Sequence, residues 1–239
     1  MYLSYIKPAL DFTAGVIILI ISLPAWVITA IIIKIDSKGP ILFVQDRTGV
    51  GGKNFKMYKF RTMAHDNDVR EVHIHNQITK VGKIVRALSL DEIPQFINVI
   101  KGDMSFIGPR PWIPEYYKYM SKKQRRRVSV RPGITGLAQA KGRNNLTIID
   151  KIQYDIDYVS NISFTRDAKI FGMTIIEALK RTGVEIEKIA IHQEINTLKE
   201  QRAKARKETP AFIKGQLALK NGAVFYSERP KKSVRKAAK

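Results

Sequence analysis

Asp91 and Glu92 are adjacent carboxylates set just ahead of an apolar helical pattern. Four cations accompany them at defined places: Lys59 and Arg61 at the end of a predicted strand, Arg86 five residues before Asp91, and Arg110 held between Pro109 and Pro111. A carboxylate can attack phosphorus, a second can bind Mg²⁺, and lysine or arginine neutralises phosphate oxygens; these residue types together suit phosphoryl transfer. Spacing alone also admits a plainer account. Acids in a first helical turn favour the positive end of the helix dipole, and each cation taken singly is ordinary surface charge.

Two other clusters invite chemistry and do not sustain it. Gly49-Val50-Gly51-Gly52 resembles a phosphate loop, but such loops run from strand to helix, whereas here a second strand pattern follows, so a hairpin turn is the better account. His65, His73 and His75 share a polar stretch, with His192 far away. A spacing of two between His73 and His75 is poor for a helical metal pair, and these side chains are expected in solvent. The chain has no cysteine, which excludes disulfides and thiolate metal sites.

The elements that must hold the carboxylates and cations follow from periodicity. Residues 41–44 and 55–60 read as paired strands and 81–88 as a helix. Ser89-Leu90-Asp91-Glu92 has the form of a capping box, with Ile93, Phe96, Ile97 and Ile100 as the following apolar face; Pro94 offers an alternative helix start. Residues 112–127 mix Trp112, Tyr116, Tyr117 and Tyr119 with Lys122, Lys123, Arg125, Arg126 and Arg127, which suits a helix lying in a lipid headgroup layer; packing on the soluble core is the other reading. Helices are expected over 148–158, 167–180 and 185–207.

Upstream, Phe12 to Ile33 form one uncharged apolar run, long enough to cross a bilayer, with Ser22-Leu23-Pro24 at its centre. Pro24 has no N–H, so the carbonyl of Ile20 loses its helical partner, and the Ser22 hydroxyl is near enough to supply one. Two halves of about 15 Å each could enter and leave by one face as a helix-break-helix hairpin; a kinked single span is the competing reading. Lys7 before the run and Lys34 and Lys38 after it suit both ends facing the cytoplasm. The run is a poor signal peptide, since no small-residue cleavage motif follows it.

Formal net charge is +21 over 239 residues. Twelve Lys/Arg against two acids fall between residues 201 and 239, so the tail carries nearly half of the excess. Anionic lipid attracts such segments; nucleic acid is a rival partner, though no recognition motif supports it; a solvated tail is the third reading.

Read together, several segments carry a resemblance. They are the Ser22-Leu23-Pro24 break, residues 58–63, 82–86, 89–95 and 98–105, Gly108-Pro109-Arg110-Pro111, residues 131–136, and Tyr154-Asp155 through Tyr158 with Asp167. In this order, over roughly residues 1–180, the chain resembles the bacterial sugar transferases called small monotopic phosphoglycosyl transferases. The resemblance implies transfer of a phosphosugar from a UDP-sugar to undecaprenyl phosphate, with UMP released and Mg²⁺ required. It implies Asp91 as the nucleophile forming an aspartyl-phosphosugar intermediate, with Glu92 helping to hold the metal and the phosphates. Lys59, Arg61, Arg86 and Arg110 take phosphate-binding roles, and Asp155 and Asp167 match acidic family positions for which a cap or buried salt bridge is an equal alternative. It places the protein on the cytoplasmic face of a bacterial inner membrane, at the first membrane step of glycoconjugate biosynthesis.

The expected fold is α+β and mostly helical. Residues 1–38 form a re-entrant anchor, 39–184 a globular catalytic domain with a β-hairpin and interfacial amphipathic helices, and 185–239 a basic extension. The rival class is a single-span anchor carrying a nucleic-acid-binding or scaffold domain. The apolar run and the tail each offer a surface through which two copies could pair as a homodimer.

Overall fold

A computed structural model describes residues 1–64, 78–142, 146–179 and 191–208. A short π-helical turn, Tyr2–Ile6, leads into α1 (Lys7–Asp36). The combined helix is long and apolar enough to cross a membrane by length and composition. The expected gap at Ser22–Pro24 is absent: Pro24 lies inside a helix that continues to Asp36. The local repair also differs from expectation, because the Ser22 hydroxyl donates to the carbonyl of Leu19 at 3.1 Å. That carbonyl is not the one Pro24 leaves without an N–H partner, which in the i→i−4 register belongs to Ile20.

Both ends of α1 dock on the body that follows. Toward its start, Lys7 and Asp11 are buried, and a Cβ on Gly15 would touch the side chains of Val99 and Ile100. Toward its end, Trp26 stacks edge-on against Phe60 at 4.9 Å, and Ile33 packs in a buried cluster with Phe60 and Val85. Between them Ile20, Ile21 and Leu23 stand exposed.

The expected hairpin is present and longer than predicted. Strands β1 (Leu42–Thr48) and β2 (Asn54–Phe60) pair antiparallel, with Phe43 opposite Lys59 and Thr48 opposite Asn54. The glycine cluster forms the turn between them, with Gly51 and Gly52 at positive φ, the backbone state that glycine adopts without a Cβ penalty. Then come α2 (Lys80–Ala87), a 3₁₀ turn at Leu90–Glu92, and α3 (Gln95–Ile100). A second, parallel pair, β3 (Ser105–Ile107) with β4 (Gly133–Thr135), had no sequence signal, because three-residue strands are too short to display alternation.

Of the two readings of 112–127, the structure bears out packing on the soluble core. The segment divides into α4 (Pro114–Tyr119) and a 3₁₀ stretch, Gln124–Val128. Tyr116, Met120 and Arg127 are buried. Its aromatic residues pack inward on α6 (Ile148–Ser160) through Ile148 and Ile152. After α5 (Leu137–Gly142) and α6 comes α7 (Phe164–Leu179), whose Ile170 is buried while Phe164, Phe171, Ile175 and Ile176 face outward.

Helix α8 (Ile191–Glu208) begins inside the expected basic extension, yet its first half is core: Leu198 is buried with Tyr116, Met120 and Ile152. The compact unit that holds these elements runs from Met1 to Lys199, and the described end of α8 beyond it belongs to a second unit. His65, His73 and His75 lie outside the described residues.

Candidate active site

The dyad sits in the Leu90–Glu92 turn rather than in the first turn of an α-helix. Ser89 makes no side-chain cap; it adopts φ 55° and ψ 23°, a left-handed conformation unusual for a residue with a Cβ. The capping-box reading is therefore replaced by a strained entry into a 3₁₀ turn, costing on the order of 1 kcal/mol. Pro94 precedes α3 directly, in line with the alternative start.

Asn98, fully buried on α3, fixes this turn against β2. Its Oδ1 accepts from the Tyr58 N–H at 3.1 Å, and its Nδ2 donates to the Lys56 carbonyl at 2.7 Å. That clamp brings Lys59 opposite the dyad. Lys59 Nζ lies 3.0 Å from Glu92 Oε1 and 3.4 Å from Asp91 Oδ2, one ammonium serving both carboxylates. Arg110 approaches Glu92 from the other side, with 3.8 Å between Nη2 and Oε1.

Arg86 comes from α2. Its Nε donates to the Thr62 hydroxyl at 2.7 Å, and its charge acts on Asp91. Helix α2 lies so close to residue 62 that a Cβ on Gly82 would stand 2.0 Å from the Thr62 carbonyl oxygen.

The two carboxyls are driven apart electrostatically. Burial pushes Asp91 upward, Lys59 and Arg86 pull it down, Glu92 adds to the rise, and the net direction is up. Burial also pushes Glu92 upward, but Lys59 and Arg110 outweigh it and hold Glu92 down at about 2. The neighbouring acids therefore diverge in proton affinity, with Glu92 held in the charged form and Asp91 the more basic of the two.

Lys59, Arg86 and Arg110 thus converge on Asp91 and Glu92. Three other predicted site residues do not. Arg61 is buried and caps the end of α1, donating to the carbonyls of Lys38 at 2.5 Å and Ser37 at 2.7 Å and to the Ser37 hydroxyl at 2.9 Å. A guanidinium there satisfies orphan carbonyls at the negative end of the helix dipole. Asp155 is buried against Arg127, which donates to it through Nε at 2.9 Å and Nη2 at 2.7 Å. Asp167 accepts from Tyr2, Lys7 and Tyr158 at 2.7, 2.7 and 2.8 Å, tying α7 to the start of α1. Both acids take the buried-bridge alternative. Sequence reasoning missed Thr62, Asn98 and the partner role of Arg127; Asn98 alone left a trace, as a polar residue within an apolar helical face.

A family model described as bacterial sugar transferase matches residues 2–181. The uncharacterized sugar transferase EpsL of Bacillus subtilis is 38% identical over 182 residues, covering 75% of this chain and 90% of that protein. The galactosyl transferase CpsE of Streptococcus agalactiae is 41% identical over 196 residues, covering 75% of this chain and 43% of that protein. The UDP-glucose:undecaprenyl-phosphate glucose-1-phosphate transferase of Caulobacter vibrioides is 39% identical over 181 residues, covering 71% of this chain and 68% of that protein. The chain thus spans nearly all of one relative and less than half of another. With the match covering the anchor, the dyad and every cation around it, the chain belongs to the bacterial sugar transferase family.

Proposed function

We propose that the protein transfers a phosphosugar from a UDP-sugar to undecaprenyl phosphate through a covalent intermediate on Asp91, releasing UMP. The observation that carries this is the shared ammonium: Lys59 within 3.4 Å of both carboxylates, flanked by Arg86 and Arg110. Such a site offers a nucleophilic oxygen and fixed positive charge where phosphate oxygens must lie. Relatives named as undecaprenyl-phosphate sugar-1-phosphate transferases support the substrate classes.

In the first displacement an Asp91 oxygen attacks the β-phosphorus and UMP leaves with the electrons of the broken P–O bond. In the second, the acceptor phosphate oxygen attacks the same phosphorus and frees Asp91. Lys59 orients the Asp91 carboxylate and neutralises charge; Glu92, ionised throughout, holds Lys59 and Arg110 in place between turnovers. Two adjacent carboxylates fit Mg²⁺, which takes one or two protein oxygens with substrate phosphates and water. No cluster of three acidic, histidine or cysteine ligands occurs among the described residues. Bound there by Asp91 and Glu92, Mg²⁺ would supply Lewis-acid neutralisation of the phosphates.

The anchor reading joins this proposal. A straight crossing carries one end of α1 away from the body on the near side. Docking of both Lys7–Gly15 and Trp26–Ile33 on that body favours a re-entrant path, with Ile20, Ile21 and Leu23 deepest in lipid. The outward face of α7 extends the apolar surface, since Tyr2 packs edge-on against Phe164 at 6.1 Å. This holds the dyad at the headgroup layer of the cytoplasmic leaflet of a bacterial inner membrane, where a lipid phosphate and a soluble nucleotide meet.

The test is intact-protein and peptide mass spectrometry after exposure to UDP-sugar alone. The peptide containing Asp91 should gain the phosphosugar, and Asp91→Asn should lose both the adduct and UMP release. Product formation without any adduct rejects the covalent route.

A further inference from the structure

We infer that the buried Arg127–Asp155 pair is a positioning device for Arg110, a role that rests on the phosphoryl-transfer reading of the dyad. The loop bearing Arg110 is held at four successive carbonyls. Pro109 accepts from the Gly133 N–H at 3.0 Å, Arg110 from Arg127 Nη2 at 2.7 Å, Pro111 from Arg47 Nη1 at 3.4 Å, and Trp112 from the Thr48 N–H at 2.9 Å. The shortest of these comes from Arg127 and falls on the residue whose side chain reaches Glu92.

Arg127 has no freedom of its own. Its side chain is 1% exposed, its Nε and Nη2 converge on one oxygen of Asp155, and its guanidinium stacks at 3.8 Å on the ring of Trp112. Stability is a weak reason to bury such a pair, because apolar replacements often hold a fold equally well. Geometry is a better one. The Arg110 side chain is 47% exposed and long, so the placement of its charge depends on a rigid backbone. A shift of about 1 Å in a transition-state cation costs on the order of 10²-fold in rate.

A double-mutant cycle separates positioning from simple support. Arg127→Lys keeps the charge beside Asp155 but cannot serve both Asp155 and the Arg110 carbonyl with a guanidinium fork. With Arg110 present, Arg127→Lys should lower kcat for UMP release about 10-fold and alter KM for UDP-sugar less than about 3-fold. In an Arg110→Gln background, the same change should cost less than about 2-fold. Equal losses in both backgrounds overturn the inference. If Arg127→Lys does not fold, Asp155→Asn, which frees Arg127 while keeping side-chain size, enters the same cycle with the same expectation. The rise in Tm produced by UDP gives a second readout that needs no turnover. It should shrink on Arg127→Lys only where Arg110 is intact. A wild type that turns over but shows additive losses overturns the positioning role alone. A wild type with neither UMP release nor a UDP-induced rise overturns the reaction beneath it.

Discussion

At the scale of the residue, the same type of side chain does opposite work in neighbouring places. Arg61 and Arg110 both looked like phosphate ligands in the sequence, yet one caps a helix and the other faces Glu92. Arg61→Ala should destabilise the protein by about 3 kcal/mol, since it removes charged hydrogen bonds from buried carbonyls. Arg110→Ala should leave Tm within about 2 °C of wild type while lowering kcat/KM about 10- to 100-fold. Thermal unfolding and a UMP assay on the two variants check the contrast. The dyad also sets a pH signature. Asp91 must be ionised to attack, and its proton affinity is raised, so the acid limb of kcat/KM should lie above the ordinary aspartate value of 3.8. Arg86→Gln removes a charge that pulls Asp91 down and should move that limb to higher pH. A limb that stays in place separates Arg86 from the nucleophile. Stability carries two opposed contributions. Glu92, depressed to about 2, contributes stability in full above its ordinary value of 4.5 and loses it as pH falls toward 2. Asp91, raised, makes the folded state bind its proton more tightly than the unfolded chain. Stability therefore falls as pH rises from 3.8 through its raised value, and Asp91→Asn should fold at least as well as wild type.

At the scale of the element, close approach rather than propensity decides where helices sit. Gly82 in α2 and Gly172 in α7 are both interior helical glycines, and helix propensity alone favours alanine at each by up to about 1 kcal/mol. Around Gly172 a Cβ would meet nothing within 4 Å, so Gly172→Ala should stabilise. At Gly82 the Cβ would stand 2.0 Å from the Thr62 carbonyl, so Gly82→Ala should destabilise by about 1–3 kcal/mol. It should also lower activity, because Thr62 holds Arg86. Opposite signs in Tm are the expected result. The positions of helices and hairpin were largely legible: α2, α6 and α7 lie within a few residues of their periodic patterns, since each buries one face at helical spacing. The 3₁₀ turn of the dyad was not. Ser-Leu-Asp-Glu is a good capping sequence, yet Leu90 and Ile93 pack beside Phe60 and Val85 and Ser89 is left-handed, an arrangement that depends on distant residues.

At the scale of the whole molecule, the long N-terminal helix and the body are one construction. Asp167 receives Lys7 and Tyr2 at one end of α1, and Arg61 holds the other end. With no native cysteine, a single introduced one reports topology cleanly. A cysteine near Met1 should be protected from a membrane-impermeant thiol reagent added outside spheroplasts. Replacing Ser22 and Pro24 with alanine and leucine should straighten the run and expose that site. Labelling in the unaltered helix removes the re-entrant path.

By itself the sequence determined the chemistry on offer: adjacent carboxylates, cations on stiff backbone, an apolar run with a proline at its centre, and an ordered series of motifs specific enough to give the family. These are properties of residue type and order, which local patterns carry. Tertiary structure alone decided which cations serve the dyad, that Asp155 and Asp167 are bridges, and that 112–127 turns inward with α8 against it. Those outcomes depend on contacts between residues as much as 165 positions apart, such as Tyr2 with Asp167, and no local pattern encodes which of several equivalent charges ends beside which.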